Sequence, residues 1–161
     1  MSTLAMKFGG TSVGNADAHA QAADIIMEQA KRWDQLIVVV SAMSGVTDAL
    51  TKGALIAAEG DDKTYRTIVA DLRVKHYRAV DALLDLDDEH TQLLATVDRY
   101  LDEFATFCHS IHVLGEVTAR AMDAITSLGE RINARVLAAL LRQRGVDSQA
   151  VDATDLIITD N

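Results

Sequence analysis

The chain predicts an α/β fold built on a mainly parallel sheet, and three features predict it. A short apolar run, Leu4 to Phe8, reads as a buried strand ended by Gly9-Gly10. A segment of helical spacing follows, and then LIVVVSA, a continuous β-branched run typical of a strand buried on both faces. Strand, helix and strand in that order form a unit whose natural outcome is a parallel pair.

The elements follow in order. Asn15 offers a cap for the first helix, and Ala18, Ala22, Ile25, Gln29 and Trp33 return at helical spacing along AHAQAADIIMEQAKRW. After the second strand, SAMSGVTDAL repeats the sequence of strand, small-residue turn and helix. Val46, Leu50, Ala54 and Ala57 line one face of that helix, and Gly60 ends it. Two amphipathic helices come next, one through Tyr65, Ile68, Leu72, His76 and Leu83, the other through Leu93, Val97, Leu101, Phe104 and Cys108. The acidic stretch DLDDEH connects them.

From Glu116 to Arg144 the pattern is helical, with Gly129 as a candidate interruption. Ile132, Val136, Leu137, Leu140 and Leu141 form its apolar stripe, and Arg142, Arg144 and Gly145 suit its C-terminus. SQAVDA then reads as another strand and LIIT as a last apolar piece. No proline, linker composition or repeat marks an internal domain boundary. The final TDN follows a strand-like segment with nothing after it to cover a sheet edge, which predicts a fragment of a longer protein rather than a chain that pairs with its own copy.

Composition narrows the function classes. The 161 residues are 49% hydrophobic, 24% charged and only 4% aromatic, so the core is built from Ala, Val, Leu and Ile. A formal net charge of −9 argues against non-specific nucleic-acid binding, which needs a basic surface to displace counterions. Any anion must instead be met by a few positive groups at one place. The single Cys108 has no disulfide partner and falls on a helical core position. Neither a signal peptide nor a membrane-spanning stretch is visible, so the expected setting is the cytoplasm.

The N-terminal stretch MKFGGTSVGN supplies such a place. Two glycines after a strand let backbone approach a ligand, and the helix that follows points free N–H groups at it; phosphate is the common guest there. Lys7 adds a compact charge, and Thr11 and Ser12 add hydroxyls. The order differs from a P-loop, since the lysine precedes the glycines. A plain reading competes, in which Gly9-Gly10 is a tight turn and Lys7 a strand-end charge. Against it stands a second turn, with Ser41, Ser44, Gly45 and Thr47 at the end of the second strand, on the sheet edge where ligands bind in open parallel sheets. Ser44 or Thr47 could equally cap the helix.

KFGGTSV at 7 to 13 and VVVSAMSGVTDAL at 38 to 50 resemble the aspartate kinases of the amino acid kinase family. TARAMDAITSLGERINARVLAALL is similar to that family's second substrate-binding stretch, and VDATDLIITD to its next strand and loop. The resemblance implies a partial three-layer α/β/α sandwich, the N-terminal lobe of the family's catalytic domain spanning residues 1–161. It implies transfer of the γ-phosphoryl of ATP, accompanied by Mg, to the side-chain carboxylate of L-aspartate, the first step toward lysine, threonine and methionine. Lys7 would contact the transferred phosphate, with Gly9, Gly10, Thr11 and Ser12 around it. Ser41 and Thr47 would hold the aspartate, Glu130 its α-ammonium, and Arg120 would orient the region or bind a carboxylate. No metal ligand falls within the chain.

The later glycine-rich segment, the aspartates that hold the nucleotide and the regulatory ACT domains are absent from the 161 residues, so the isolated chain is expected to be inactive and to self-associate through exposed apolar surface. Glu130 has a competing role, since Ser127-Leu-Gly-Glu130 also fits a capping box; a continuous helix would remove it. His76, His109 and His112 lack a nucleophile partner, His19 and His90 read as surface residues, and Asp85, Asp87, Asp88 and Glu89 as a solvated loop without EF-hand spacing. Two other functions fit the same residues: a glutamate or acetylglutamate kinase, or a non-catalytic module that binds an anion or assembles with a partner.

Overall fold

The computed structural model describes residues 2–157. Its elements are β1 (Thr3–Phe8), α1 (Ala16–Ala30), β2 (Gln35–Val40), α2 (Val46–Ala58), α3 (Asp62–Leu83), α4 (Asp88–Leu114) and α5 (Ala119–Gln143), followed by a single 3-10 turn at Ala153–Asp155. The predicted parallel sheet is present: β1 and β2 pair in parallel, with Lys7 opposite Val39 and Phe8 opposite Val40. Alternation along the strands turns Met6, Phe8, Leu36, Val38 and Val40 into the core.

The opposite face is bare. Ile37 and Val39 are 56% and 53% exposed, and Lys7 stands on the same side. The expectation of strands buried on both faces is therefore not met among the described residues, where the helices pack on one face only.

Helices α2 to α5 match the sequence reading closely. Val46, Leu50, Ala54 and Ala57 are all buried, and Gly60 at φ 88° closes α2. Helix α4 begins at Asp88, capped by the Asp87 side chain, so part of the acidic connector forms a first helical turn where carboxylates favour the dipole. Gly115, with φ 74°, ends α4, and Thr118 caps α5 through its hydroxyl.

Four expectations need correction. Helix α1 ends at Ala30, with Trp33 beyond it, and it buries His19, Ala22, Ala23 and Ile26 while Ile25 is half exposed. Alanine fits either face, so this Ala-rich pattern left the stripe's phase open. His19 and His90 are buried instead of on the surface, each with a side-chain partner: Asn133 for His19, and for His90 the Asp81 carboxylate at 2.8 Å. Helix α5 runs uninterrupted through Gly129.

Finally, residues 148–152 form no strand. A strand needs a neighbouring edge, whereas this segment lies along α5. The Ser148 hydroxyl donates to the Ala138 carbonyl oxygen at 2.8 Å, and Asp152 is gripped by Arg131 and Arg135 at 3.1 and 2.7 Å. The apolar piece LIIT extends to Thr159, beyond the described residues.

Candidate functional site

Two turns leave the same edge of the sheet and touch. In the first, the Ser12 N–H donates to the Gly9 carbonyl oxygen at 2.9 Å, and fully buried Val13 pegs the loop to the core. A β-carbon on Gly10 would sit 3.2 Å from the Ala42 carbonyl oxygen of the second turn. One on Gly14 would meet the Gly10 carbonyl oxygen at 2.8 Å and the Ser44 Cβ at 3.1 Å. Close approach of the two turns thus demands a third glycine, Gly14, that the sequence reading passed over. Asn15 caps α1 by accepting from the Ala18 N–H at 2.9 Å.

Lys7 lies exposed on the bare face of the sheet, and its Nζ is 3.7 Å from where a β-carbon on Gly9 would stand. The ammonium is therefore folded over the first turn. Thr11 and Ser12 are exposed beside it.

In the second turn the Ser41 N–H continues the ladder by donating to the Phe8 carbonyl oxygen at 3.1 Å. Gly45, at a φ of 75° that favours glycine, is the N-cap residue of α2, and no side chain caps the helix. Ser44 and Thr47 are both exposed and do not serve as caps. Among the described residues the Thr47 and Asp48 N–H groups have no backbone acceptor, which leaves an open helix N-terminus beside the first turn.

Helix α5 brings the third component. Gly129 packs on the second turn, where a β-carbon would lie 2.8 Å from the Ala42 Cβ and 3.1 Å from the Val46 Cγ1. Glu130 follows it, half-buried and without a hydrogen bond or ion pair among the described residues. The continuous helix removes the capping-box role, and the Ser127 hydroxyl instead donates to the Ala124 carbonyl oxygen at 2.8 Å. Arg120 stands exposed in the first turn of α5, ten residues or about 15 Å along the axis before Glu130. It is thus set apart from the two turns.

A buried polar chain joins these parts. His19 Nδ1 stands 2.8 Å from the Asn15 carbonyl oxygen, and Nε2 pairs with Asn133 Oδ1 at 2.6 Å. Asn133 Nδ2 in turn donates to the Ser41 carbonyl oxygen at 2.6 Å. Reversing the Asn133 amide would set its oxygen against the Ser41 carbonyl oxygen, which fixes the orientation of the carboxamide. Sequence reading missed His19 and Asn133; the available signal was two polar residues on otherwise apolar helical stripes.

Among the described residues no group of three or more His, Cys, Asp or Glu could hold a metal, and no helix is long and apolar enough to cross a membrane. An open cavity of about 540 Å³ adjoins Gly14, Asn15 and Met43 and is walled by Asp71, Lys75 and Arg78 of α3. None of Lys7, Ser41, Thr47 or Glu130 lines it, so it lies beside the two-turn site without being part of it.

Comparison with known proteins bears on the fold and the family. The chain is 32% identical over 152 residues to the chloroplastic bifunctional aspartokinase/homoserine dehydrogenase 1 of Arabidopsis thaliana, covering 94% of this chain and 16% of that protein. It is 27% identical over 167 residues to the aspartokinase of Saccharomyces cerevisiae, covering 98% of this chain and 31% of that one. The fold superposes on E. coli aspartokinase III in complex with aspartate and ADP with a TM-score of 0.74 at 24% identity, over 92% of this chain and 30% of that one. The chain thus spans less than a third of the length of these relatives. Residues 2–161 match the amino acid kinase family, and the chain belongs to that family.

Proposed function

We propose that this chain is the amino-acid-binding lobe of an aspartate kinase, an enzyme that moves the γ-phosphoryl of ATP to the side-chain carboxylate of L-aspartate. The observation that carries the reading is a pair of touching turns on one edge of a parallel sheet, with Lys7 folded over the first, an open α2 N-terminus at the second, and Gly129, the chain neighbour of Glu130, packed on the second. A carboxylate attacking a polyanion meets like-charge repulsion, so the site must supply positive charge and aligned N–H donors. Lys7 supplies the charge, Gly9 and Gly10 the backbone donors, and Thr11 and Ser12 flanking hydroxyls. No strong general base is required, because the nucleophile is already ionised at neutral pH.

Ser41 and Thr47 hold the aspartate, and Glu130 accepts hydrogen bonds from its α-ammonium. A carboxylate in that place discriminates against N-acylated substrates, which have lost the charge. Arg120, distant along α5, is assigned only an orienting role. Magnesium would accompany the nucleotide, most of whose site the aspartate kinase reading puts outside this chain. On this reading the 161 residues alone do not turn over, and the complete enzyme is a cytoplasmic homo-oligomer.

The test is hydroxylamine trapping of the acyl phosphate with the full-length gene product, comparing aspartate with glutamate and N-acetylglutamate. Aspartate-dependent, ATP-dependent signal that disappears in Lys7→Ala supports the reading. Preference for glutamate or its acetylated form would replace it with another amino acid kinase, and no signal with any of the three would favour a binding module.

A further inference from the structure

We propose that His19 and Asn133 are positioning residues for the amino acid substrate, holding the turn that carries Ser41 at a set distance from the helix that carries Glu130. This rests on the aspartate kinase reading above and adds to it two residues that touch no reacting atom. Asn133 lies one helical turn beyond Glu130, so the two side chains are neighbours along α5. Its carboxamide donates to the carbonyl oxygen of Ser41 itself, at 2.6 Å. One hydrogen bond therefore ties the helix bearing the ammonium-binding carboxylate to the turn bearing the proposed substrate hydroxyl.

His19 fixes the orientation of that carboxamide. Its Nε2 donates to Asn133 Oδ1 at 2.6 Å, which leaves only Nδ2 free to reach Ser41. Its Nδ1 meets the Asn15 carbonyl oxygen at 2.8 Å, at the residue that ends the glycine turn. Both side chains are fully buried, so no water competes for these bonds, and a lost partner leaves an unpaired polar group in the core. The chain from Asn15 through His19 and Asn133 to Ser41 thus spans all three components of the site. The positions of Ser41 and Glu130 decide how well a bound amino acid meets both ends at once, whereas Lys7 makes no hydrogen bond to His19 or Asn133 among the described residues.

The experiment is steady-state kinetics and thermal melting of the full-length gene product, wild type beside Asn133→Leu, His19→Leu, His19→Gln and the Asn133→Leu/His19→Leu pair. Wild-type turnover on aspartate is measured first; its absence would overturn the functional reading and this proposal with it. Given that turnover, Asn133→Leu and His19→Leu are expected to raise the KM for aspartate about tenfold while leaving the KM for ATP within about twofold. His19→Gln, which retains an N–H donor, is expected to recover most of the loss. The double variant is expected to be no worse than either single one, because both break one connection.

Equal changes in both KM values, additive effects of the two substitutions, or a lowered melting temperature with unchanged kinetics would overturn the positioning role and leave the kinase reading intact. Should the leucine variants fail to fold, Asn133→Ser breaks the same connection at smaller volume change. An aspartate KM equal to wild type in Asn133→Ser would overturn the proposal.

Discussion

Gly129 of α5 and Ala42 of the second turn approach so closely that a β-carbon on the glycine would stand 2.8 Å from that of the alanine. The contact seats the helix on the turn at the position next to Glu130. Gly129→Val would force them apart, and overpacking of this kind costs about 1–3 kcal/mol. Urea unfolding should show the midpoint lowered with the slope unchanged.

The Cys108 thiol is predicted to be inert in the folded chain. It is fully buried in α4, and burial pushes its pKa up to about 12. A disulfide-exchange reagent at mildly alkaline pH should leave the native protein untouched and titrate one thiol per chain in denaturant, since the sequence has one cysteine. Rapid native-state labelling would show that α4 opens far more readily than its packing implies.

His76 should give stability an acid limb. Burial holds its pKa below the ordinary 6.5, and its Nε2 has no hydrogen-bond partner. As pH falls below about 6.5 the unfolded chain takes up a proton that the folded chain refuses, so stability declines there; above that value this group contributes no slope. Replacing His76 with leucine should flatten the decline in denaturation midpoints measured across that range. An unchanged slope would assign the effect to other groups.

Asp152 should anchor the segment that follows α5. Hydrogen bonding to Arg135, reinforced by the charge of Arg131, holds its carboxyl below the ordinary 3.8. The stability it adds is therefore present above that value and lost as pH falls through the lowered one. Asp152→Ala is expected to cost about 2 kcal/mol, the scale of a charge-assisted hydrogen bond in a partly buried site. Limited proteolysis should then find new cleavage between Gly145 and Ile157.

Large apolar residues made much of this fold legible. Leu50, Leu72, Val97, Leu101 and Leu140 have one plausible side to face, and the helices carrying them were placed with their buried stripes correct. The Ala-rich α1 was placed but misphased, because Ala18 and Ala22 bury equally well on either side. The surface position expected for His19 fails because its burial depends on Asn133, which is 114 positions away and invisible to any local pattern. Gly129 suggested an interruption, yet the contact with Ala42 outweighs the helix cost of glycine, about 1 kcal/mol. The two turns were legible from their glycines and hydroxyls. The polar chain beneath them was not, since hydrogen bonds between distant segments leave no periodic trace.

The dependence of the site on α5 also sets the order in which it comes into being. Strands β1 and β2 are joined through α1 alone, and α2, α3 and α4 pack as sequence neighbours, so this much of the structure has short contact separations and can form early. During synthesis both turns leave the ribosome well before residues 119–143. Glu130, Gly129 and Asn133 then arrive together on a single helix. A nascent chain halted before α5 would display two glycine turns and an unclamped Ser41, whereas the next 25 residues of translation complete the constellation in one step.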